Sequence, residues 1–191
     1  MAAAVHAAVD ALLIEAGAGA FTVADVARRA DVNPTSIYRR WGSLEAVILD
    51  VEAARLTVIS PLPDTGTLRG DLLAYAAAAA ADIVRPGRLA FLQALIGARD
   101  LSDEQRSAPL LQRAAQFQAM LDRGRDRGEP ALEYTAIVDC ILAPIYLRFL
   151  FGLGIDGPDL ELFVDRTLAS ALLLSNIRGT GKLLRTNETE T

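Results

Sequence analysis

Helix-start signals between Phe21 and Val26 constrain the fold of this chain more than any other feature. Thr22 is a favourable N-cap, and Asp25 lies where a capping box places its acidic partner. Phe21 and Val26 flank the cap at the spacing of a hydrophobic staple. These residues predict a short helix over about 23–30.

A second helix start follows a break at 31–33. Asn33 is an N-cap, and Pro34 suits the first helical position because its missing N–H would be unsatisfied there in any case. This helix is expected to end near Gly42, and Ser43 then caps a further helix. Two short helices joined by so short a break are typical of a helix-turn-helix.

The rest of the chain is also expected to be helical. Apolar residues at helical spacing predict a first helix that ends at Gly17, and no run alternates as a strand would. After a stiff loop at 60–66, further helices are expected over about 68–84, 88–98, 109–127, 131–152 and 158–178. Pro144 lies inside the fourth of these and is expected to kink it.

These elements predict an all-α fold with two domains and a tail. The expected divisions are a three-helix helix-turn-helix domain at 1–55, a larger helical domain at 56–178 and a disordered polar tail at 179–191. Hydrophobic residues make up 52% of the 191 residues, which is enough to build such cores, and only 23% are charged, too few for a disordered chain.

The second helix of the helix-turn-helix has one apolar side and one polar side. At 100° per residue, Ile37 and Trp41 lie close together and face the core, with Pro34 beside them. The opposite side carries hydroxyl and guanidinium groups and no carboxylate: Thr35, Ser36, Tyr38, Arg39 and Arg40. Such a side can donate hydrogen bonds to guanine edges and to phosphates.

Net charge gives only local support to this interpretation. The chain has a formal net charge of −5. Residues 1–55 contain five Arg against seven acidic residues, whereas 32–44 contain Arg39 and Arg40 and no acid. The positive charge is therefore concentrated on one helix, which predicts modest non-specific affinity for a polyanion.

The capping signals fit a DNA-binding helix and an ordinary surface helix with two arginines about equally well. A family resemblance favours the DNA-binding helix. The segment from Phe21 to Val47 resembles the DNA-binding signature of the tetracycline-repressor (TetR) family. The stretch 63–73 resembles the domain junction of one subgroup of that family. The resemblance implies a homodimeric, ligand-responsive transcriptional regulator, most often a repressor released from a near-palindromic operator.

The resemblance also implies a set of DNA-contacting residues: Thr22, Thr35, Ser36, Tyr38, Arg39, Arg40 and Ser43. Of these, Thr35, Ser36 and Arg39 would face base edges, and Arg40 would contact the backbone or a flanking base. The other three would bind phosphates. Thr22 would do so through its hydroxyl and backbone N–H, Tyr38 through its hydroxyl, and Ser43 together with the amides that follow it.

The chain departs from the family pattern at two places. Leu44 stands where members often carry Lys, which removes one expected phosphate contact. Many members have a basic arm before the first helix, whereas no Lys or Arg precedes Arg28 here. His6 is the one partial exception, and we expect it to be a solvent-facing helix residue.

The last two predicted helices are apolar on more than one side. In 131–152, Ile137, Ile141 and Ile145 mark one side, and Val138 and Leu142 begin another. A helix that is apolar on two sides must be buried on both. One large intramolecular core would satisfy this pattern. The resemblance favours a dimer interface instead, since the family pairs its last two long helices across a two-fold axis.

An effector pocket is expected among the helices of the larger domain. Its candidate wall residues are Tyr75, Phe91, Leu95, Phe117, Met120, Tyr134 and Ile137, although core packing is the commoner role for each. The alanine run at 76–81 leaves space beside them. A small hydrophobic or amphipathic effector fits this lining better than a charged one. No metal or cofactor is expected.

Two other classes of function stay open at this point, an enzyme and a DNA-free helical adaptor. The chain has one His and one Cys, and it lacks a phosphate-binding glycine loop and a nucleophile elbow. Cys140 lies in an apolar run, where packing is the expected role. A single cysteine, the absence of a signal-peptide pattern and the absence of an apolar membrane span lead us to expect a cytoplasmic protein.

Overall fold

The structure is a computed structural model, and it describes residues 1–17, 20–59, 62–85, 87–97 and 101–186. Within these ranges, some side chains fall outside the described part: 56–59, 90–91, 95, 105–106, 108–110, 112 and 173–186. All secondary structure in the described ranges is helical, as the sequence pattern predicts.

Four helices form the N-terminal region: α1 (Ala2–Ala16), α2 (Val23–Ala30), α3 (Pro34–Trp41) and α4 (Leu44–Ile59). The capping box at Thr22 and the Asn33 cap are both present, so α2 and α3 begin where the sequence predicts. Asp31 has a left-handed backbone, with φ of 53°, and so turns the chain between the two helices. Gly42, with φ of 82°, ends α3, because few other residues tolerate that conformation.

The remaining helices are α5 (Leu68–Ile83), α6 (Ala90–Gly97), α7 (Asp103–Asp126), α8 (Tyr134–Ile137), α9 (Ala143–Leu150) and α10 (Gly157–Thr186). Helix α7 begins earlier than expected, so that Pro109 lies inside it. Asp103 and Glu104 in its first turn favour this start, since acidic residues are stabilised at a helix N-terminus.

A π-helical turn (Val138–Leu142) joins α8 to α9 just before Pro144. Proline lacks the N–H of a regular helix, and a π turn is one of the ways in which a helix absorbs that loss. The structure therefore shows a change of helical spacing at the place where the sequence predicts a kink.

The chain divides into two compact units. The first unit comprises Met1–Pro61 and Asp82–Ala115, and the second comprises Leu62–Ala81 and Gln116–Thr191. Residues 82–115 thus belong to the same unit as the helix-turn-helix, whereas the sequence places them in the larger domain. The reason is non-local: α6 packs against α4, and Ala94 of α6 is buried in the first unit's core.

The core of the first unit encloses apolar side chains from α1 to α4 and α6. Its buried members are Val5, Ala8, Val9, Leu13, Phe21, Val23, Val26, Ala27, Ile37, Val47, Ile48, Leu49, Val51 and Ala94.

Ionic groups also hold this unit together. Glu52 is 1% exposed and accepts from the Arg55 guanidinium, which also donates to Asp82.

The core of the second unit includes Ile137, Ile141 and Ile145, all fully buried, on the side of the α8–α9 segment that the sequence marks as apolar. Buried residues of α10 recur at helical spacing on one side: Leu160, Phe163, Val164, Thr167 and Ala171.

Helix α10 continues to Thr186, past the end expected near 178. Good helix formers such as Leu183, Leu184 and Arg185 favour this extension. The tail prediction therefore does not hold for 179–186, and 187–191 lie outside the described residues.

Candidate nucleic-acid interface

The outward side of α3 presents polar groups, as the helical projection predicts. Thr35, Arg39 and Arg40 are exposed, and Tyr38 is 54% exposed. Ser36 is half-buried. On the opposite side, Ile37 is 1% exposed and belongs to the core of the first unit. The five polar side chains therefore share a surface that the core holds in place.

The two arginines of α3 differ from the two of α2 in their surroundings. Arg28 pairs with Asp25 at 2.7 Å, and Arg29 pairs with Glu15 at 2.6 Å. The Arg29 guanidinium lowers the pKa of the Glu15 carboxyl through this hydrogen-bonded pair. Among the described residues, no carboxylate lies within ion-pair distance of the α3 arginines. Their positive charge is available to a partner.

Thr22 has its hydrogen-bonding groups engaged at the start of α2. Its hydroxyl donates to Asp25 Oδ2 over 2.7 Å, and its backbone N–H donates to the same oxygen over 2.9 Å. These bonds lower the pKa of the Asp25 carboxyl. The two donors that the resemblance assigns to a phosphate are thus held by a carboxylate here. A phosphate at this position would have to displace Asp25.

The start of α4 is built as expected. The Ser43 hydroxyl accepts from the Ala46 N–H over 3.2 Å, which leaves its own proton free to be donated. The side chain is half-buried. The first amides of a helix point outward from its N-terminus and attract anions. The geometry is compatible with the phosphate contact that the resemblance implies.

A hydrogen-bonded group ties three helices together at the end of α3. The indole Nε1 of Trp41 donates to Asp50 Oδ2 of α4 over 2.8 Å, and His6 Nε2 of α1 lies 2.9 Å from the same oxygen. The Arg40 guanidinium carbon lies 5.0 Å from the centroid of the Trp41 ring, in the range of a cation–π contact. His6 is therefore a half-buried partner of Asp50 rather than a solvent-facing residue.

The predicted pocket residues are split between the described and undescribed parts of the chain. The side chains of Phe91 and Leu95 lie outside the described residues. Phe117, Met120 and Ile137 of the second unit are fully buried. The Tyr75 and Phe117 rings meet edge to face with centroids 4.8 Å apart, and the Phe117 and Tyr134 centroids are 5.0 Å apart. The structure thus brings three of the candidate aromatic rings into one cluster.

The second unit leaves large apolar side chains exposed near the end of α9 and along α10. We call this set the apolar surface: Leu147, Leu150, Phe151, Leu153, Leu162 and Leu172, each at least 45% exposed. The buried side of α10 packs within its own unit, whereas the side chains of the apolar surface remain exposed to solvent. Four of the six lie between Leu147 and Leu153, and such a concentration of exposed apolar groups is typical of an interaction surface.

Two kinds of feature are absent from the described residues. None of the helices there is long and apolar enough to cross a membrane. No group of three or more His, Cys, Asp or Glu side chains is arranged to hold a metal ion in those same ranges.

A compact helix-turn-helix with a cationic, carboxylate-free second helix defines this chain as a DNA-binding protein of the helix-turn-helix class. Comparison with known protein families assigns it more narrowly. Residues 5–51 match the model described as bacterial regulatory proteins, tetR family. Residues 62–167 match the tetracyclin repressor-like C-terminal domain. The chain belongs to the tetR family of transcriptional regulators.

Individual relatives agree with this assignment. The chain is 34% identical over 146 residues to YdeS of Bacillus subtilis (strain 168), described as an uncharacterized HTH-type transcriptional regulator, and the match covers 73% of each chain. It is 32% identical over 121 residues to the HTH-type transcriptional regulator AqdR of Rhodococcus erythropolis, covering 62% of this chain and 58% of the relative.

The structure is also similar to solved regulators. The TetR family transcription regulator SCO0332 superposes with a TM-score of 0.70 at 28% identity, covering 87% of this chain and 94% of that chain. A TetR family regulator from Marinobacter aquaeolei VT8 gives a TM-score of 0.55 at 18% identity, covering 88% and 93%. The second likeness shows the fold alone.

Proposed function

We propose that this regulator is a ligand-responsive repressor. In this proposal, a homodimer binds a near-palindromic operator in the cytoplasm, and a small apolar effector releases it. The observation that carries the DNA-binding part is the outward side of α3, where Arg39 and Arg40 are exposed without a carboxylate partner among the described residues. A helix of this size and charge fits the major groove.

We assign different roles to the polar groups of α3. Thr35, Ser36 and Arg39 face base edges, and Arg39 is suited to a guanine because its guanidinium can donate twice to O6 and N7. Tyr38 and Arg40 flank this side and contact phosphates. Ser43 adds a phosphate contact at the start of α4. Thr22 has the weakest support, since Asp25 holds both of its donors.

The DNA-binding proposal is tested with a duplex selected from a random-sequence library by the wild-type protein, hereafter the selected duplex. Arg39→Ala should lower affinity for it by about 1–3 kcal/mol and relax the preference at one base pair of each half-site. Repeating the selection with the variant measures that preference directly. Unchanged affinity and unchanged preference would rule out the base-reading role of Arg39.

The apolar surface supports the homodimer. Members of the family dimerise, and a second copy of α9 and α10 would cover the exposed leucines and Phe151 with equivalent groups. A two-fold axis also matches a near-palindromic site, because each protomer then presents one α3 to one half-site.

The aromatic cluster of Tyr75, Phe117 and Tyr134 supports an apolar or amphipathic effector bound in the second unit. Its three rings are in contact, and Met120 and Ile137 of the same unit are fully buried, so these side chains offer an apolar environment to a ligand. Release then requires that the effector bind the DNA-free form more tightly than the DNA-bound form. A coupling of about 1–3 kcal/mol would lower operator affinity five- to 150-fold.

The effector proposal is tested by a thermal-shift screen of hydrophobic compounds, followed by titration of each hit into the complex with the selected duplex. A true effector raises the melting temperature and weakens DNA binding together. Phe117→Leu should reduce the thermal shift while leaving DNA affinity unchanged in the absence of compound. Hits that stabilise the protein but leave DNA affinity unchanged in every case would contradict the release mechanism.

A further inference from the structure

The group formed by Asp50, Trp41 and His6 has no place in the contacts proposed so far. Asp50 lies on α4, away from the outward side of α3, and its carboxylate is 47% exposed. Even so, one of its oxygens accepts from both Trp41 Nε1 and His6 Nε2, at 2.8 and 2.9 Å. The carboxylate can only accept, so the indole N–H must point toward Asp50. This hydrogen bond from α4 therefore holds the Trp41 ring of α3 in one orientation.

The orientation of the indole matters because Arg40 lies on it. The guanidinium carbon of Arg40 is 5.0 Å from the Trp41 ring centroid. An exposed arginine otherwise samples many rotamers, and ordering it on binding lowers affinity. A ring whose plane is held by Asp50 reduces that freedom before DNA arrives. His6 in turn restrains Asp50, since it shares the same oxygen.

We propose that Asp50 is a positioning residue for DNA binding: it fixes the Trp41 ring on which the Arg40 guanidinium is held ready for DNA. The inference rests on the proposed contact of Arg40. In this proposal, α1 and α4 contribute to a DNA contact of α3 through the hydrogen bonds that join His6, Asp50 and Trp41. Only α3 itself reaches the DNA at that point.

A positioning role and a purely electrostatic role of Asp50 predict opposite effects of its removal on DNA affinity. Asp50 is a negative group in the DNA-binding unit, so its removal would strengthen binding if the carboxylate acted only through repulsion of phosphates. Positioning predicts the opposite. Asp50→Ala should weaken affinity for the selected duplex about three- to tenfold, the range for one lost hydrogen bond.

Asp50→Asn is the matched variant, because it removes the same charge but keeps an oxygen that accepts from the indole. We expect its affinity to stay within about twofold of wild type. Asp31→Asn serves as the control for charge alone. Asp31 is exposed in a left-handed conformation that Asn also tolerates, and its neutralisation should leave binding unchanged or strengthen it. Equal losses in Asp50→Ala and Asp50→Asn would overturn the proposal.

A double-mutant cycle separates positioning of Arg40 from a general structural role. In the Arg40→Ala background, Asp50→Ala should lose most of its effect, since there is no guanidinium left to position. A merely structural role would give the same loss in both backgrounds. If Arg40→Ala alone does not weaken binding, the Arg40 contact itself is wrong and the inference falls with it. A clear Arg40 effect without coupling would overturn the inference alone.

Trp41 provides a direct readout of the proposed bond, because it is the only tryptophan in the chain. Its indole N–H gives one signal in a nitrogen–proton NMR spectrum. That signal should shift and exchange faster with solvent in Asp50→Ala, but less so in Asp50→Asn. Trp41→Phe keeps a ring but loses the donor, and it should weaken DNA binding about as much as Asp50→Ala. An indole signal unchanged by Asp50→Ala would contradict the bond in solution.

Discussion

The two compact units differ in what they leave on their surfaces. In the first unit, apolar groups of α1 to α4 and α6 enclose one another, and α3 exposes hydroxyls and guanidiniums. The first unit also exposes apolar side chains, but they are spread over separate helices, with Ile96 on α6 and Leu111 on α7 as examples. In the second unit, the six side chains of the apolar surface are concentrated on α9, the segment that follows it and α10. The outward side of α3 suits a polyanion, and the apolar surface of the second unit suits another apolar surface. Exposed chemistry, rather than the helical fold that both units share, thus separates their roles.

The largest expected effect comes from a charge placed on the apolar surface. Leu172→Asp should prevent dimer formation, because each protomer would bury an unpaired carboxylate at a cost of several kcal/mol. The dimer dissociation constant should rise at least about a hundredfold. Light scattering at micromolar concentration measures this change.

The control for this change is Leu111→Asp, on a residue of α7 in the first unit that is 63% exposed. Its substitution adds the same charge outside the apolar surface and should leave the dimer intact. A wild-type monomer at micromolar concentration, or equal effects of the two variants, would remove the distinction between the two surfaces.

The next largest effect is on the stability of the first unit. Glu52→Gln should destabilise that unit by about 1.5–3 kcal/mol, since it leaves the nearly buried Arg55 with Asp82 as its one remaining carboxylate partner among the described residues. Arg88, 3.7 Å from Glu52, loses the same partner. Urea unfolding followed by Trp41 fluorescence reports this unit specifically, because Trp41 lies within it.

Glu15→Gln provides the comparison, because Glu15 forms an exposed ion pair with Arg29. Its unfolding midpoint should stay close to that of wild type. A similarly small shift for Glu52→Gln would mean that the buried ions contribute little to the first unit.

A smaller effect is expected from neutralising a single arginine of the DNA-binding surface. Arg40→Ala should weaken binding to all sequences and reduce the salt slope by about one for the phosphate contact that is lost. Arg28→Ala removes the same charge from α2, but Asp25 already pairs with Arg28. Fluorescence anisotropy across a salt series should therefore give a smaller change for Arg28→Ala. Equal slopes for the two variants would show that pairing does not decide which arginines act.

The smallest expected effect concerns pH. The pKa of Asp25 lies below its ordinary value because Thr22 donates to the charged form. Its stabilising contribution is therefore present above about pH 4 and is lost as pH falls through the lowered pKa. Asp25→Asn should be slightly less stable than wild type at pH 7, and the difference should shrink toward pH 2. Circular dichroism melts at both pH values measure it.

Local signals account for what the sequence predicted well. The bounds of α2 and α3 depend on Thr22, Asn33 and Gly42, whose hydrogen bonds and backbone angles involve residues next to them in the chain. The exposed side of α3 follows in turn from helical geometry. The same reasoning placed Ile137, Ile141 and Ile145 together on a buried side.

Contacts distant in sequence account for what was missed. Asp50 was counted only as an acid, because its bonds to Trp41 and His6 join three helices that no local pattern relates. Ala94 joins the first unit's core for a similar reason. The π turn before Pro144 was expected only as a kink, since the spacing of apolar residues does not reveal how a helix absorbs a proline.

The central claim is that a dimer reads DNA with α3 of each protomer, and a hydroxyl-radical footprint on the selected duplex tests it most directly. The account predicts two protected patches related by a two-fold axis, with centres about 34–36 Å apart or a multiple of that spacing. Both patches should weaken in Arg39→Ala. A single patch, or two patches that Arg39→Ala leaves unchanged, would contradict the claim.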